Sequence, residues 1–254
     1  MESPFKGDIL KGKVGLLTGG GSGIGFEIAA EMGKHGASIA IMGRRNHVLH
    51  SAVSALQSHG IHAIGIEGDV RNKEDCARVI ETTIKQFGKL DILVNAAAGN
   101  FLVPSEDLSP NGFRTVIDID AVGAFTMCHE ALEHLKNGGS CTRSLALEWG
   151  TDYGIRVNGI APGPIDDTTG TSKLVPEKVL LKRKQESALY RMGKKWDIAM
   201  VALYLASDGG NYVNDGGIWL SSPRHISKEA VKQVSKTVEK KSRDAPVGIP
   251  KSNL

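Results

Sequence analysis

The chain of 254 residues is poor in cysteine, in aromatic side chains and in long apolar runs. Its three cysteines, Cys76, Cys128 and Cys141, are odd in number and far apart. That excludes a disulfide framework or a cysteine-built metal site as an organising feature and predicts free thiols in reducing surroundings. No stretch approaches the ~20 consecutive apolar residues of a membrane span. Met1-Glu-Ser-Pro-Phe-Lys6 also lacks the apolar core of a secretory signal, so the expectation is a soluble protein of an intracellular compartment. Repeats and low-complexity blocks are missing as well, which argues against a solenoid. With 41% hydrophobic and 23% charged residues, one globular domain with a substantial core is expected.

Charge is unevenly spread. The net +3 conceals eight Lys/Arg against three acids in residues 223–254, which leaves residues 1–222 at −2 and argues against a basic body that wraps nucleic acid. We therefore divide the chain into a domain over 1–222 and a basic tail over 223–254. In the tail, Lys228, Lys232, Lys236 and Lys240 recur at i, i+4, with Val231, Val234 and Val238 opposite. Such an amphipathic helix docks on its own domain, on a partner or on a membrane surface.

The first 135 residues alternate short β-branched runs with helical stretches, the pattern of an α/β, doubly wound Rossmann-type parallel sheet. Strands are expected at 13–18, 37–42, 63–67 and 90–95, and helices at 23–35, 46–59, 73–87 and 110–136, the last loosely broken at 118–123. Beyond these, 142–150 reads as the end of a helix, 155–160 as a buried strand and 197–207 as a further helix.

Thr18-Gly19-Gly20-Gly21-Ser22-Gly23-Ile24-Gly25 ends the first strand and opens a helix. That context turns a glycine cluster into a dinucleotide site: tight turn, close backbone approach to pyrophosphate, and a helix N-terminus aimed at the anion. The second strand ends in Gly43-Arg44-Arg45, with two guanidiniums where an acid would bind the ribose hydroxyls of NAD. This predicts NADP(H), its 2′-phosphate paired with arginine; the competing reading is an arginine pair at a helix start. Asp69, after the third strand, is expected to accept from the adenine amino group, or else to be a plain helix-entry aspartate.

With Gly68-Asp69-Val70, Asn95-Ala96-Ala97-Ala98-Gly99 and Arg156-Val-Asn-Gly-Ile-Ala-Pro-Gly163 following in order, the chain resembles the short-chain dehydrogenase/reductase family from end to end. Asn95 to Phe101, Leu108-Ser109 and Ile117-Asp-Ile-Asp120 are similar to its peroxisomal 2,4-dienoyl-CoA reductase branch. The resemblance implies NADPH-dependent reduction of an unsaturated fatty acyl-CoA. It assigns cofactor contacts to Gly19 through Gly25, Arg44, Arg45, Asp69, Val70, Asn95, Ala96, Pro162, Gly163, Pro164 and Ile165. Acyl-CoA contacts fall to Arg71, Phe101, Ser109, Pro110, Asn111 and Lys173. Asp120 stands where the branch places an aspartate that helps protonate the product, in partnership with a lysine; its alternative is a helix-kink residue.

The segment bearing that lysine is what the chain most conspicuously lacks. Gly138-Gly-Ser140, which in the family leads into the fifth strand, is followed at once by Cys141-Thr-Arg-Ser-Leu-Ala-Leu147, which resembles the far end of the catalytic helix. A strand–helix–strand unit needs ~30 residues, so an internal strand and most of a helix are expected to be missing, and the last edge strand also. Among the four tyrosines only Tyr190 has a lysine four residues on, Lys194. Three functions stay open: a reductase working through Asp120, a non-catalytic NADP-binding subunit pairing with intact homologues, and a general carbonyl reductase. The chain ends Lys251-Ser252-Asn253-Leu254, one residue from a Ser-Lys-Leu address read by the peroxisomal import receptor. Homo-oligomerisation is expected; stable membrane insertion and a metal site are not.

Overall fold

The computed structural model describes residues 2–99, 103, 106–135, 143–166, 168, 189 and 191–220. Strand β1 (Val14–Thr18) is buried at all five positions, as a central strand covered on both faces must be. Parallel strands flank it: β2 (Ser38–Gly43) and β3 (Ala63–Glu67) on one side, β4 (Ile92–Asn95) on the other, in the order β3-β2-β1-β4. The register aligns Val14 with Ser38 and Gly15 with Ile92. Helices α1 (Gly23–Lys34), α2 (Asn46–Ser58) and α3 (Lys73–Phe87) make the crossovers.

Side chains alternate across the sheet, and each face collects its own apolar cluster. Leu17, Ile39 and Ile41 pack with α1 and α2 and with Ile198, Ala199 and Leu203 of α7 (Lys195–Ala206). Leu16, Ala40 and Met42 pack with α3, with α5 (Ala124–Leu135) and with Ala146 and Trp149 of α6 (Arg143–Tyr153). Two covered faces are the doubly wound arrangement expected from the alternating pattern.

The break expected at 118–123 is a π-helical turn, Asp118–Gly123, between α4 (Pro110–Ile117) and α5. Such turns insert a residue into a helix and re-aim the side chains on it.

Three expectations are corrected. A last strand does exist: β6 (Gly217–Leu220) pairs in parallel with β5 (Gly159–Pro162), built from the apolar residues that follow Asp215-Gly216 rather than from those before it. The strand expected at 155–160 is displaced to β5. Ile155 and Val157 are fully buried in the second cluster, Ile155 N–H closes on Trp149 O (3.2 Å), and Val157 N–H donates to Asn214 Oδ1 (2.7 Å). Finally, Cys76 is a buried free thiol but Cys128 is disulfide-bonded, so the cysteines are not all free. Among the described residues no strand lies between β4 and β5, which belong to separate sheets of four and two strands. The basic tail and the C-terminal tripeptide lie outside the described residues.

Thr18 ties the sheet to the loop after β4. Its hydroxyl accepts from Ala96 N–H and Ala97 N–H, both at 3.1 Å, at a residue only 1% exposed. Thr18→Val keeps the shape and the β-branch but strands two amides, and should lower unfolding stability by about 1–3 kcal/mol. Urea denaturation of both proteins measures this, and equal midpoints would refute the role.

Candidate functional site

The sequence-predicted residues gather at the carboxyl ends of the parallel strands, where open α/β sheets bind ligands. After β1 the chain turns through Gly19 at φ +65°, a left-handed conformation. A Cβ on Gly19 would stand 2.6 Å from Ala96 O, and one on Gly25 would stand 2.7 Å from Gly19 O. Both obstacles are backbone and cannot swing aside. Gly20 fits as closely on Ile41 and Gly21 more loosely on Val48, whereas at Gly23 no atom lies within 4 Å of where a Cβ would be.

The helix that follows leaves its positive end uncompensated. Ser22 is the α1 N-cap, but its side chain makes no capping bond and the first turn, with Ile24, holds no acid. By contrast, α3 answers its own N-terminus, with Glu74 and Asp75 in the first turn and Asn72 Oδ1 accepting from Asp75 N–H at 3.0 Å. An anion lowers the energy of the α1 terminus and has no such opening at α3.

At the end of β2, Arg44 and Arg45 are both exposed. Arg45 occupies the N-cap position of α2, yet makes no side-chain capping bond there. The positive charge of Arg44 reaches Asp69, where it helps to hold the carboxyl low. The larger influence on Asp69 is Arg71: its Nε donates to Oδ1 and Oδ2 at 3.0 Å, and its backbone N–H to Oδ1 at 3.0 Å. That bond set holds the Asp69 carboxyl below the usual carboxylate range against partial burial, and raises the Arg71 guanidinium in turn. Arg71 thus sits on the neighbouring aspartate, with Asp118 adding a further negative charge nearby.

Asp120 is exposed on the π-helical turn, and its Oδ1 accepts from Gly99 N–H at 2.8 Å. The turn packs tightly on both neighbouring loops. A Cβ on Gly99 would meet Ile119 at 2.9 Å, and one on Gly123 would meet buried Val70 at 2.7 Å. Asn95 donates through Nδ2 to Cys128 Sγ at 3.3 Å. Asp69, Val70, Arg71, Asn95, Ala96 and Asp120 are thereby brought together around the glycine turn.

Pro162 to Ile165 continue β5. Gly163 N–H donates to Leu220 O (2.8 Å), Gly193 N–H to Pro164 O (3.0 Å), and Ile165 is buried in the α1 cluster. Ser109, Pro110 and Asn111 start α4. The Ser109 hydroxyl accepts from Gly112 N–H at 3.0 Å as the helix cap, Pro110 takes the first turn, and Asn111 is exposed. Phe101, Lys173 and Tyr190 lie outside the described residues, while Lys194 begins α7 with its N–H on Asp197 Oδ2 at 2.7 Å.

Sequence reasoning missed two supports. One is Thr18. The other is Asp75, whose Oδ2 accepts from Asp69 N–H at 3.0 Å and whose Oδ1 takes Arg78, while Arg78 also holds Glu67 O at 2.9 Å. The Asn72-x-x-Asp75 spacing of a helix start was the available signal for the second.

A glycine turn closed on the next loop, an uncompensated helix terminus and strand ends carrying Arg44 and Asp69 define a dinucleotide-binding domain of the doubly wound class. Two family models then cover the chain: short chain dehydrogenase over residues 13–142, and Enoyl-(Acyl carrier protein) reductase over residues 140–218. The chain belongs to the short-chain dehydrogenase/reductase family. It is 58% identical to a peroxisomal 2,4-dienoyl-CoA reductase of Arabidopsis thaliana over 100% of both chains. It is 37% identical to the Pongo abelii protein of the same name, over 87% of this chain and 89% of that one. A solved short chain dehydrogenase from Bacillus anthracis is 34% identical and superposes with a TM-score of 0.77, covering 86% of this chain and 99% of that chain.

The Arabidopsis comparison runs over 298 positions and this chain has 254 residues, so 44 positions have no residue here. The two family models meet at residues 140–142, the junction where the catalytic segment is expected to be absent.

Proposed function

We propose that this chain is a 2,4-dienoyl-CoA reductase by descent: it keeps the NADPH-binding half of the site and has lost most of its turnover. The observation that carries the reading is 58% identity, end to end, with a relative named for that reaction. The geometry supports the cofactor part. Gly19 to Gly25 and the bare α1 terminus would hold the pyrophosphate, with Ser22 and Ile24 lining the turn. Arg44 and Arg45 would pair with a 2′-phosphate, a contact NADH lacks. Asp69, fixed by Arg71 and Asp75, would accept from the adenine amino group beside Val70. Asn95, Ala96 and Pro162 to Ile165 would line the nicotinamide side.

When bound, NADPH would supply a hydride to the far end of the conjugated diene, which drives negative charge toward the thioester oxygen. The chain must then offer donors to that oxygen and a proton to the dienolate. Asp120, exposed on the π-helical turn with its Oδ1 accepting from Gly99 N–H, would be the carboxyl that helps deliver that proton. Its lysine partner belongs to the missing segment. By resemblance, Ser109 to Asn111, Arg71, Phe101 and Lys173 would meet the acyl-CoA; Arg71 would have to divide its donors between Asp69 and that ligand. The 44 missing positions favour the second reading, a cofactor-binding subunit that acts beside intact homologues. The peroxisomal names of the relatives support peroxisomal residence for this chain.

NADPH should bind more tightly than NADH, and Arg44→Ala with Arg45→Ala should remove the difference, each lost phosphate contact costing about 1.5–3 kcal/mol. Titration of both cofactors decides it, and equal affinities in the unmodified chain would end the assignment. For the reaction, NADPH oxidation with a 2,4-dienoyl-CoA should run roughly 10²–10⁴-fold slower in this chain than in a version carrying the relatives' segment between Ser140 and Cys141, as expected for lost acid–base help. Equal rates would show that Asp120 suffices. A fluorescent protein bearing the last ten residues should become punctate with a peroxisomal marker; a diffuse signal would show that Asn253 spoils the address.

A further inference from the structure

The Asp69 carboxylate, the acceptor proposed for the adenine amino group, has its acceptor positions filled. An ionised carboxylate offers about four of them. Oδ1 accepts from the Arg71 main-chain N–H and from Arg71 Nε, both at 3.0 Å, and Oδ2 accepts from the same Nε at 3.0 Å and from Arg71 Nη2. Three of these four bonds come from one guanidinium. An amino group that donates to Asp69 must therefore take the place of Nε or Nη2.

The carboxylate does not need that guanidinium to keep its place. Asp69 N–H is held by Asp75 Oδ2 at 3.0 Å, and Asp75 is itself tied to Asn72 and Arg78. The bond from the Arg71 main chain to Oδ1 persists whatever the Arg71 side chain does. Val70, between the two residues, is buried and packed by Gly123 of the π-helical turn, which fixes the backbone on which both side chains stand. The guanidinium is the loose member. The Arg71 side chain is 40% exposed, and ion pairs open to water are held weakly enough to be exchanged. Arg44 adds positive charge at Asp69, so the carboxyl keeps a cation near it when the Arg71 fork departs, and Arg71 itself also feels the negative charge of Asp118.

Resting on the NADPH reading, we propose that Arg71 is a positioning residue that occupies the adenine acceptor until the cofactor displaces it, the 6-amino group of the base and the Arg71 fork excluding one another at Asp69. A purine with a carbonyl in place of that amino group meets the opposite situation. It has no proton to give Asp69 at that position, and its carbonyl accepts from the fork left where it is. Arg71 thus sets how strictly the site reads the base, competing with adenine and accommodating a 6-oxo purine.

The probes are NADPH and its 6-oxo counterpart, reduced nicotinamide hypoxanthine dinucleotide phosphate, titrated into the full-length chain and followed by nicotinamide fluorescence. The readout is the ratio of the two dissociation constants, because loss of a positive charge or of overall stability acts on both ligands alike. In Arg71→Met the carboxylate is open to adenine and bare toward the carbonyl, so the ratio should shift in favour of NADPH by roughly fivefold or more. With Asp69→Ala in the same chain, Arg71→Met should no longer move the ratio. Arg71→Ala serves if the methionine variant does not fold. An unchanged ratio in Arg71→Met, or the same shift once Asp69 is gone, would overturn the proposal and leave the cofactor assignment standing. Failure of both dinucleotides to bind the unmodified chain would remove the NADPH reading, and this role of Arg71 with it.

Discussion

The arrangement depends on a contact in which no side chain takes part: the approach of the Gly19 backbone to Ala96 on one side and to Gly25 on the other. Cβ atoms there would lie 2.6 and 2.7 Å from carbonyl oxygens, so only glycine lets the end of β1, the start of α1 and the loop after β4 meet. Thr18 fastens the same junction with two hydrogen bonds. The loop thus fixed carries Gly99, whose N–H holds Asp120, and the turn carrying Asp120 rests on Val70 through Gly123. The strand ends therefore form one connected surface rather than four independent loops.

The first half of the fold was legible because its elements are local and strongly patterned. Helices α2 and α3 begin where the composition says they begin, and the helix break at 118–123 was readable as a loosening of the periodicity. Legibility fell where tertiary context decides. Ile155 and Val157 read as strand because they are β-branched and apolar, but their burial lies under α6, and the Asn214 side chain takes the Val157 amide. The last strand was missed because the apolar residues fall after the Asp-Gly-Gly, and only pairing with β5 makes Gly217–Leu220 a strand. In the candidate site, residue types pointed to a cofactor end, but no spacing rule predicts that Arg71 turns back onto Asp69 two residues away. The disulfide at Cys128 had no local signal at all.

Among the described residues the two sheets are joined through helices, not through strands. In the described residues no ladder crosses from β4 to β5. What unites them is α7, which packs on α1 and reaches β5, with Ile165 and Ile198 buried in the same cluster as Leu17 and Ile28. Arg156 strengthens the far end of this layer by donating to Leu205 O at 2.7 Å and Gly210 O at 2.8 Å, where the α7 carbonyls run out. Burial lowers the Arg156 guanidinium, with Asp208 opposing that shift. Helix packing tolerates a missing strand better than a ladder does, because apolar contact is non-directional while each lost ladder bond leaves a donor and an acceptor behind.

That difference explains how binding and chemistry can part company in one chain. The contacts that close the glycine turn, from Thr18 and Gly19 to Ile41 and Ala96, lie before residue 100. Proton delivery is a different case. On the proposed reading it needs a carboxyl on one element and a cation on another, held at a fixed separation, and the second element is the one expected to be absent. On the proposed reading, a deletion at the 140–142 seam would remove the proton relay and spare the glycine turn. This is the order of loss expected when the binding site is built from sequence-local packing and the reactive site from a junction of distant strands.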